Sequence, residues 1–460
     1  VWFCFGKVSA LFVGTAFWPW FFLCIVFELY SAGCRVGLAD SLISLFLFGR
    51  LCGKADWLSV LNIMERVMNI PKGYKFAAAQ ATFKKAGRFD LGAIVSETPA
   101  VVAGVFTTNK FQAAPVLHCR EMLGTGRRMS GFLVNSGQAN ACTGEDGRAN
   151  CRETLNMAAK VLDVPADELL PASTGVIGAQ FDMTKWEAAM PELGRSLETS
   201  APEDVARAIM TTDTVRKLAE ARFELKGGEV RLLGLCKGAG MISPNMATML
   251  SFILCDAVIS PQAWQGMLAD CVNLTINRVT IDGDMSTNDC VMALANGASG
   301  VDIESEDDYS LLRKHLLGVL EELAYKIVMD AEGGTKVAFI EVSGARSDKD
   351  AERVARAVGN SPLVKTALFG SDPNWGRIIC AAGYSGAEFK PDDLVLKIGG
   401  ILVFRNGTPE PGNMDDLLGP IMKERDIVIH INIGDGPGSS MVLASDLTKE
   451  YVSINADYRS

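Results

Sequence analysis

From Pro71 onward, short β-forming runs alternate with glycine turns and amphipathic stretches, the pattern of an α/β or α+β chain with mixed sheets and packed helices. Leu311, Leu312, Leu316, Val319, Leu320, Leu323 and Ile327 recur at three- and four-residue steps, which predicts a helix ending near Gly333 and Gly334. Residues 337–342 then predict a strand. Further on, Ile427, Ile429, Ile431 and Ile433 alternate with Val428, His430 and Asn432, so a strand with one strongly apolar face is expected. The glycines of residues 434–438 follow that strand and precede another around residues 441–444. With no helix N-terminus to receive a phosphate, they read as a connecting turn. The chain shows no internal repeat and no low-complexity tract.

Residues 1–67 stand apart. Nine of the 22 Phe, four of the seven Trp and four of the twelve Cys fall before residue 60, so this stretch has a composition of its own. Residues 8–27 carry no charge and include Phe17, Trp18, Trp20, Phe21 and Phe22, about the length needed to span a bilayer. A second apolar run, 42–48, is too short to span, and no small-residue cleavage site follows either. All 18 methionines lie from Met64 onward. The stretch is therefore read as translated upstream sequence with a start at Met64 or Met68; a membrane anchor and a targeting segment are the alternatives.

Charge and residue usage narrow the chemistry. Lys and Arg number 44 against 54 Asp and Glu, a net charge of −10, which argues against a nucleic-acid partner. The three histidines, His118, His315 and His430, are scattered and without HExxH spacing, so neither a zinc site nor a His-based triad is expected. Twelve cysteines without a CxxC pair read as reduced core thiols in a cytoplasmic compartment. Asp282-Gly-Asp-Met-Ser286 begins like a calcium loop, but Thr287 stands where Gly is needed and Ala293 where Glu is needed. With no GxxxxGK[ST] either, no metal and no resident cofactor are expected.

The segment that carries chemistry is Lys237-Gly-Ala-Gly-Met-Ile-Ser-Pro-Asn-Met-Ala-Thr-Met-Leu250, a glycine-rich loop leading into a buried strand. Such a junction can hold a strained peptide bond, and a threonine just after it can attack the preceding carbonyl, freeing its own α-amine. That amine, with a reference pKa of about 7.7–8.0, supplies the base that a histidine-poor chain lacks. A nearby cation such as Lys237 would enlarge its neutral fraction. An ordinary loop entering a core strand fits the same local sequence. Likewise Ala172-Ser-Thr-Gly-Val-Ile-Gly178 offers hydroxyls and backbone N–H groups for an oxyanion, or simply a glycine turn ending a strand.

Taken together the chain resembles the ornithine acetyltransferase family, the bifunctional glutamate N-acetyltransferases of arginine biosynthesis, from Ile70 to Ser460. The resemblance rests on Gly104-Val-Phe-Thr-Thr-Asn109, Asn135-Ser-Gly-Gln-Ala-Asn140, Ser173-Thr-Gly-Val-Ile-Gly178, Thr211-Thr-Asp-Thr214, Lys237-Gly-Ala-Gly-Met241, Asn245-Met-Ala-Thr-Met-Leu250, Asp282-Gly-Asp284 with Ser286-Thr-Asn-Asp289, Asp372-Pro-Asn-Trp-Gly-Arg377, and residues 451–458. It implies self-cleavage between Ala247 and Thr248, giving an α chain of residues 68–247 and a β chain of residues 248–460. Thr248 would be the nucleophile. By the same resemblance Thr174 and Gly175 would form the oxyanion hole, while Thr211, Lys237, Thr248, Glu332, Asn455 and Ser460 would hold the substrate. Its helix-end position alone would make Glu332 a solvent carboxylate.

The implied reaction moves acetyl from N2-acetylornithine to Thr248 and on to glutamate in a ping-pong cycle. Acetyl-CoA is a further candidate donor. The resemblance also implies an α2β2 assembly, with small molecules as the only other partners and no membrane. The competing class is an autoproteolytic N-terminal-threonine amidohydrolase or aminopeptidase, in which water takes the acyl group. A membrane-anchored binding protein rests on residues 8–27 alone.

Overall fold

The computed structural model describes residues 68–84, 86–243 and 249–457 of the chain. Residues 68–460 form one compact unit; the apolar run 8–27, and with it residues 1–67, lies outside the described residues. Among the described helices none is long and apolar enough to cross a membrane.

The unit is built on two mixed sheets. The first takes β1 (Tyr74–Ala79), β2 (Leu91–Phe106), β3 (Met129–Gln138), β4 (Leu169–Val176), β5 (Lys217–Leu225), β6 (Gly228–Lys237) and β7 (Leu250–Cys255). It is completed, after the two-residue β8 (Val279–Thr280), by β9 (Cys290–Ala295), in the order β4-β3-β2-β9-β7-β6-β5, with β1 also paired to β2. The long β2 joins its two halves: residues through Ser96 pair with β1, residues through Val95 and then Ala100 pair with β3, and residues from Val101 on pair with β9. The second sheet holds β10 (Val337–Ala345), β11 (Val395–Ile398), β12 (Ile401–Arg405), β13 (Thr408–Pro409), β14 (Asp426–Asn432) and β15 (Gly438–Ser445), ordered β13-β12-β11-β14-β10-β15-β8.

Helices α1 (Ala114–Gly124), α2 (Gly144–Leu162), α3 (Met183–Ser196), α4 (Pro202–Ala208), α5 (Pro261–Leu274) and α6 (Glu306–Met329) cover the first sheet. Both its faces are therefore buried, and every residue of β7 is inside, Ile253 and Cys255 against α5 and α6, Phe252 and Leu254 against α1 and α4. This is why the stretch that becomes β7 is a continuous apolar run and not an alternating one. Helix α6 is the one expected from the leucine spacing; Ser305 caps it by accepting from Asp308 N at 3.0 Å, and Glu306, Asp307 and Asp308 favour its positive end.

The second sheet is covered along one face, and on the other only at its β8, β15 and β10 end, where Val337, Phe339 and Leu443 join the core under α6. Helices α7 (Asp348–Gly359), α8 (Pro362–Phe369), α9 (Trp375–Gly383) and α10 (Met414–Lys423) close over Ile427, Ile429 and Ile431. Val428, His430 and Asn432 remain partly or fully exposed on the other face, which accounts for the strict alternation of β14. A last helix, α11 (Lys449–Asp457), has no buried residue. The cysteines of the described residues are all free, six buried and two, Cys142 and Cys380, exposed.

Candidate active site

A cleft opens where strand ends of the first sheet meet the turn after α6 and helix α11. Its wall includes Thr174, Gly175, Thr211, Lys237, Glu332 and Asn455, with Gly240, Met241, Ser286 and Asn288. Six side chains or backbones singled out from the sequence thus converge from five separate segments. Ala247, Thr248 and Ser460 lie outside the described residues. The chain resumes at Met249, whose N–H donates to Asp289 Oδ1 at 3.0 Å, and Leu250 pairs with Lys237 in the β6/β7 register.

Thr174 and Gly175 sit at the end of β4, where the backbone leaves the sheet. Gly175 has φ +133° and pairs with Gly137 of β3, and a Cβ on it would overlap the Gly137 backbone, so glycine is required. Asn288 holds this corner: its side-chain amide donates to Ala139 O at 2.7 Å and Ser173 O at 2.8 Å. Its carbonyl accepts from the Thr287 hydroxyl at 2.6 Å, which fixes the amide orientation.

Glu332 is 8% exposed, a buried carboxylate at the cleft and not the solvent group its helix-end position suggested. The chain turns inward after Asp330, and Glu332 N donates to Ala239 O at 2.9 Å. Gly240 lies against the Glu332 carboxylate, which a Cβ at this position would displace. That contact is a physical reason for the second glycine of Lys237-Gly-Ala-Gly-Met241. The next residue, Met241, takes a left-handed conformation with φ +57°, uncommon for a non-glycine side chain. Asp282 stabilises this turn by accepting from Met241 N at 2.5 Å and Ile242 N at 2.9 Å, so the acidic loop that resembled a calcium site serves as a backbone anchor.

Helix α11 closes the cleft from above. Tyr451 OH donates to Asp282 Oδ2 at 3.2 Å, and the Asn455 amide donates to Glu332 Oε2 at 2.6 Å. Burial, together with the neighbouring Asp282, pushes the Tyr451 phenol well above its ordinary value, so it stays a donor.

The electrostatics are set by burial. Lys237 is 4% exposed, and desolvation lowers its ammonium below the usual lysine value against the pull of Asp213, Asp289 and Glu332. Asp289 is raised well above the carboxylate range by burial, with Lys237 opposing. Lys237 Nζ lies 3.4 Å from Thr211 Oγ1. The cleft therefore presents a cation, a hydroxyl and a carboxylate side by side, complementary to an amino acid's charged ends. No cluster of metal-ligating side chains occurs among the described residues.

Residues that the sequence reading left without a role also matter. Asn288 falls within Ser286-Thr-Asn-Asp289 and Asp213 within Thr211-Thr-Asp-Thr214, but local sequence indicates a partner for neither. Lys217 and Asp330, which meet beneath the cleft, are 113 residues apart and carry no local signal.

Comparison with known proteins places the chain in a family. The ArgJ family model matches residues 75–460. The arginine biosynthesis bifunctional protein ArgJ of Nitratidesulfovibrio vulgaris is 55% identical over 390 residues, 85% of this chain and 99% of its own length. That of Geobacter sulfurreducens is 44% identical, covering 85% of this chain and all of its own. A crystal structure of the Bacillus halodurans protein, 40% identical, covers 44% of this chain and 96% of its own with a TM-score of 0.43. The chain belongs to the ArgJ family and is an acetyltransferase of arginine biosynthesis.

Proposed function

We propose that the protein transfers the acetyl group of N2-acetylornithine to glutamate through an acetyl-Thr248 intermediate. The observation that carries this reading is the convergence of a buried ammonium, Lys237, a buried carboxylate, Glu332, and the β4 terminus at Thr174 and Gly175 on one cleft. The strand that follows position 248 pairs directly with Lys237.

Self-cleavage between Ala247 and Thr248 would divide the protein into chains 68–247 and 248–460 and free the Thr248 α-amine. That amine takes the hydroxyl proton as Oγ attacks the acetyl carbonyl. The Thr174 hydroxyl and the Gly175 N–H stabilise the oxyanion; one such donor is typically worth about 2.7–4 kcal/mol. As the tetrahedral adduct collapses, the proton passes to the ornithine nitrogen and ornithine leaves. The glutamate amine then attacks the ester, its proton passing by way of the Thr248 α-amine to Oγ as the C–Oγ bond breaks, which releases N-acetylglutamate and restores Thr248. Lys237, Thr211, Glu332, Asn455 and Ser460 hold both amino acids, because each has the same α-carboxylate end. Acetyl-CoA would enter as an alternative donor to the same threonine, and the cleaved chains would assemble as α2β2.

The test begins with intact-mass spectra of the wild type and Thr248→Ala. Two wild-type chains, one starting at Thr248, and a single mutant chain are expected. Labelled N2-acetylornithine should then label N-acetylglutamate; release of the label as acetate, with none on glutamate, would place the enzyme among amidohydrolases instead. Labelled acetyl-CoA run in parallel decides whether it serves as donor.

A further inference from the structure

Beneath the cleft lies an ion triad with almost no contact with solvent. Lys217 Nζ donates to Asp213 Oδ1 at 2.6 Å and to Asp330 Oδ2 at 2.5 Å, and the three side chains are 0%, 0% and 4% exposed. Each carboxylate also reaches toward a substrate-facing segment. Asp213 Oδ2 accepts from Thr211 N at 3.0 Å, and its Oδ1 accepts from Gly238 N at 2.7 Å, the peptide that follows Lys237. Asp330 accepts from Thr214 N at 3.1 Å and from the Thr214 hydroxyl, and stands two residues before Glu332 at the end of α6. One lysine therefore joins the three segments that deliver Thr211, Lys237 and Glu332.

The charge count gives the triad a second effect. Asp213, Asp330, Lys217 and Lys237 are two carboxylates and two ammonium groups in a dry region. Without Lys217, Asp213 would be left with Lys237 as its buried cation, and Asp213 already favours the charged form of Lys237, as do Asp289 and Glu332. A buried ion pair is on average no more stable than apolar residues of the same volume, so stability alone is a weak reason for this one.

We propose that Lys217, with Asp213 and Asp330, is a positioning group that sets the spacing of Thr211, Lys237 and Glu332 and, by engaging Asp213, leaves the Lys237 ammonium for the substrate carboxylate. This rests on the acetyl-transfer reading of the cleft. Its signature is a selective loss of binding, because the triad's bonds run to the Thr211, Thr214 and Gly238 backbone and none of them reaches Thr174 or Gly175.

The experiment is steady-state kinetics of the full chain with N2-acetylornithine and glutamate, comparing wild type, Lys217→Met and Asp330→Asn. Lys217→Met is expected to raise KM for both substrates about tenfold and to change kcat by less than about threefold. Asp330→Asn keeps the Lys217–Asp213 bond and should raise KM about threefold. A purely structural triad predicts a lower Tm with KM unmoved, and that result in the folded variants overturns the proposal. If Lys217→Met does not fold, Asp330→Asn decides the matter on the same criterion. A wild type that moves no acetyl to glutamate overturns the underlying reading instead, which separates the two failures.

Discussion

Two buried lysines, one under each sheet, show how differently the same side chain behaves. Lys217 on β5 sits between Asp213 and Asp330. Burial works against its ammonium, but the two carboxylates outweigh it and its pKa stands above the ordinary lysine value. Lys365 on α8 is 3% exposed and donates to the Ser445 carbonyl, with Ser445 Oγ at 3.4 Å. There burial dominates, with only the more remote Asp446 and Asp282 opposing, and the pKa falls to about 8. A buried ammonium between carboxylates is a fixed charge; one that meets dipoles is close to titrating. The first lies beside a cleft lined by Thr211, Lys237 and Glu332, while the second fastens α8 to β15.

Thr248→Ala tests the largest difference between the two regions. It is expected to abolish both chain cleavage and acetyl transfer, whereas Lys365→Met should leave cleavage complete, as read by intact mass. Next comes the stability of the triad. Lys217→Met removes the ammonium between two buried carboxylates and is expected to cost about 3 kcal/mol at pH 7 in urea unfolding. Asp213 is held below the carboxylate range, since Lys217 and Lys237 outweigh its burial. Its contribution is therefore present above the unfolded value of about 3.8 and is lost as pH falls through its folded pKa. Wild type should lose stability in acid more steeply than Lys217→Met; parallel acid-unfolding curves would remove the ion triad from this comparison. Lys237→Met, which deletes the cleft cation itself, should lower kcat/KM about a hundredfold with little effect on cleavage.

What could be read from the sequence divides along the same line. Helix α6 and strand β14 were legible because burial on one face imposes a 3.6- or two-residue period, while β10 was legible as a short apolar run after a helix-ending glycine pair. Strand β7 was legible as an apolar run, and its place at the centre of a doubly covered sheet explains the missing alternation. The cleft residues Thr174, Gly175, Thr211, Lys237, Glu332 and Asn455 came from resemblance to a family, and the structure places them on one surface. Local pattern alone gave a glycine turn for the first two and a solvent carboxylate for Glu332. The supporting layer was not legible at all. Lys217 and Asp330 meet across 113 residues, and a lysine at a strand start or an aspartate at a helix end reads as surface until the fold buries it. Asn288 is the intermediate case: its motif stood out, but its bonds to Ala139 and Ser173 depend on β3 and β4 ending side by side.

Lys365 supplies the last and smallest test; its lowered pKa gives a pH dependence of the sign opposite to that of Lys217, whose pKa is raised. Its folded pKa of about 8 lies below the reference value of 10.5. Between these values the unfolded chain binds the proton and the folded chain does not, so stability rises with pH across this window. The unfavourable burial of the ammonium is present at pH 7 and fades as pH climbs. Measured by urea unfolding, the wild type should gain about 2 kcal/mol relative to Lys365→Met between pH 7 and pH 10. Lys217 titrates above 10.5 and contributes no such gain, so the same comparison with Lys217→Met should be flat over that range. A wild type that loses stability relative to Lys365→Met on the alkaline side would mean that Asp446 and Asp282 hold the Lys365 charge after all. The two lysines would then differ in partner distance and not in kind.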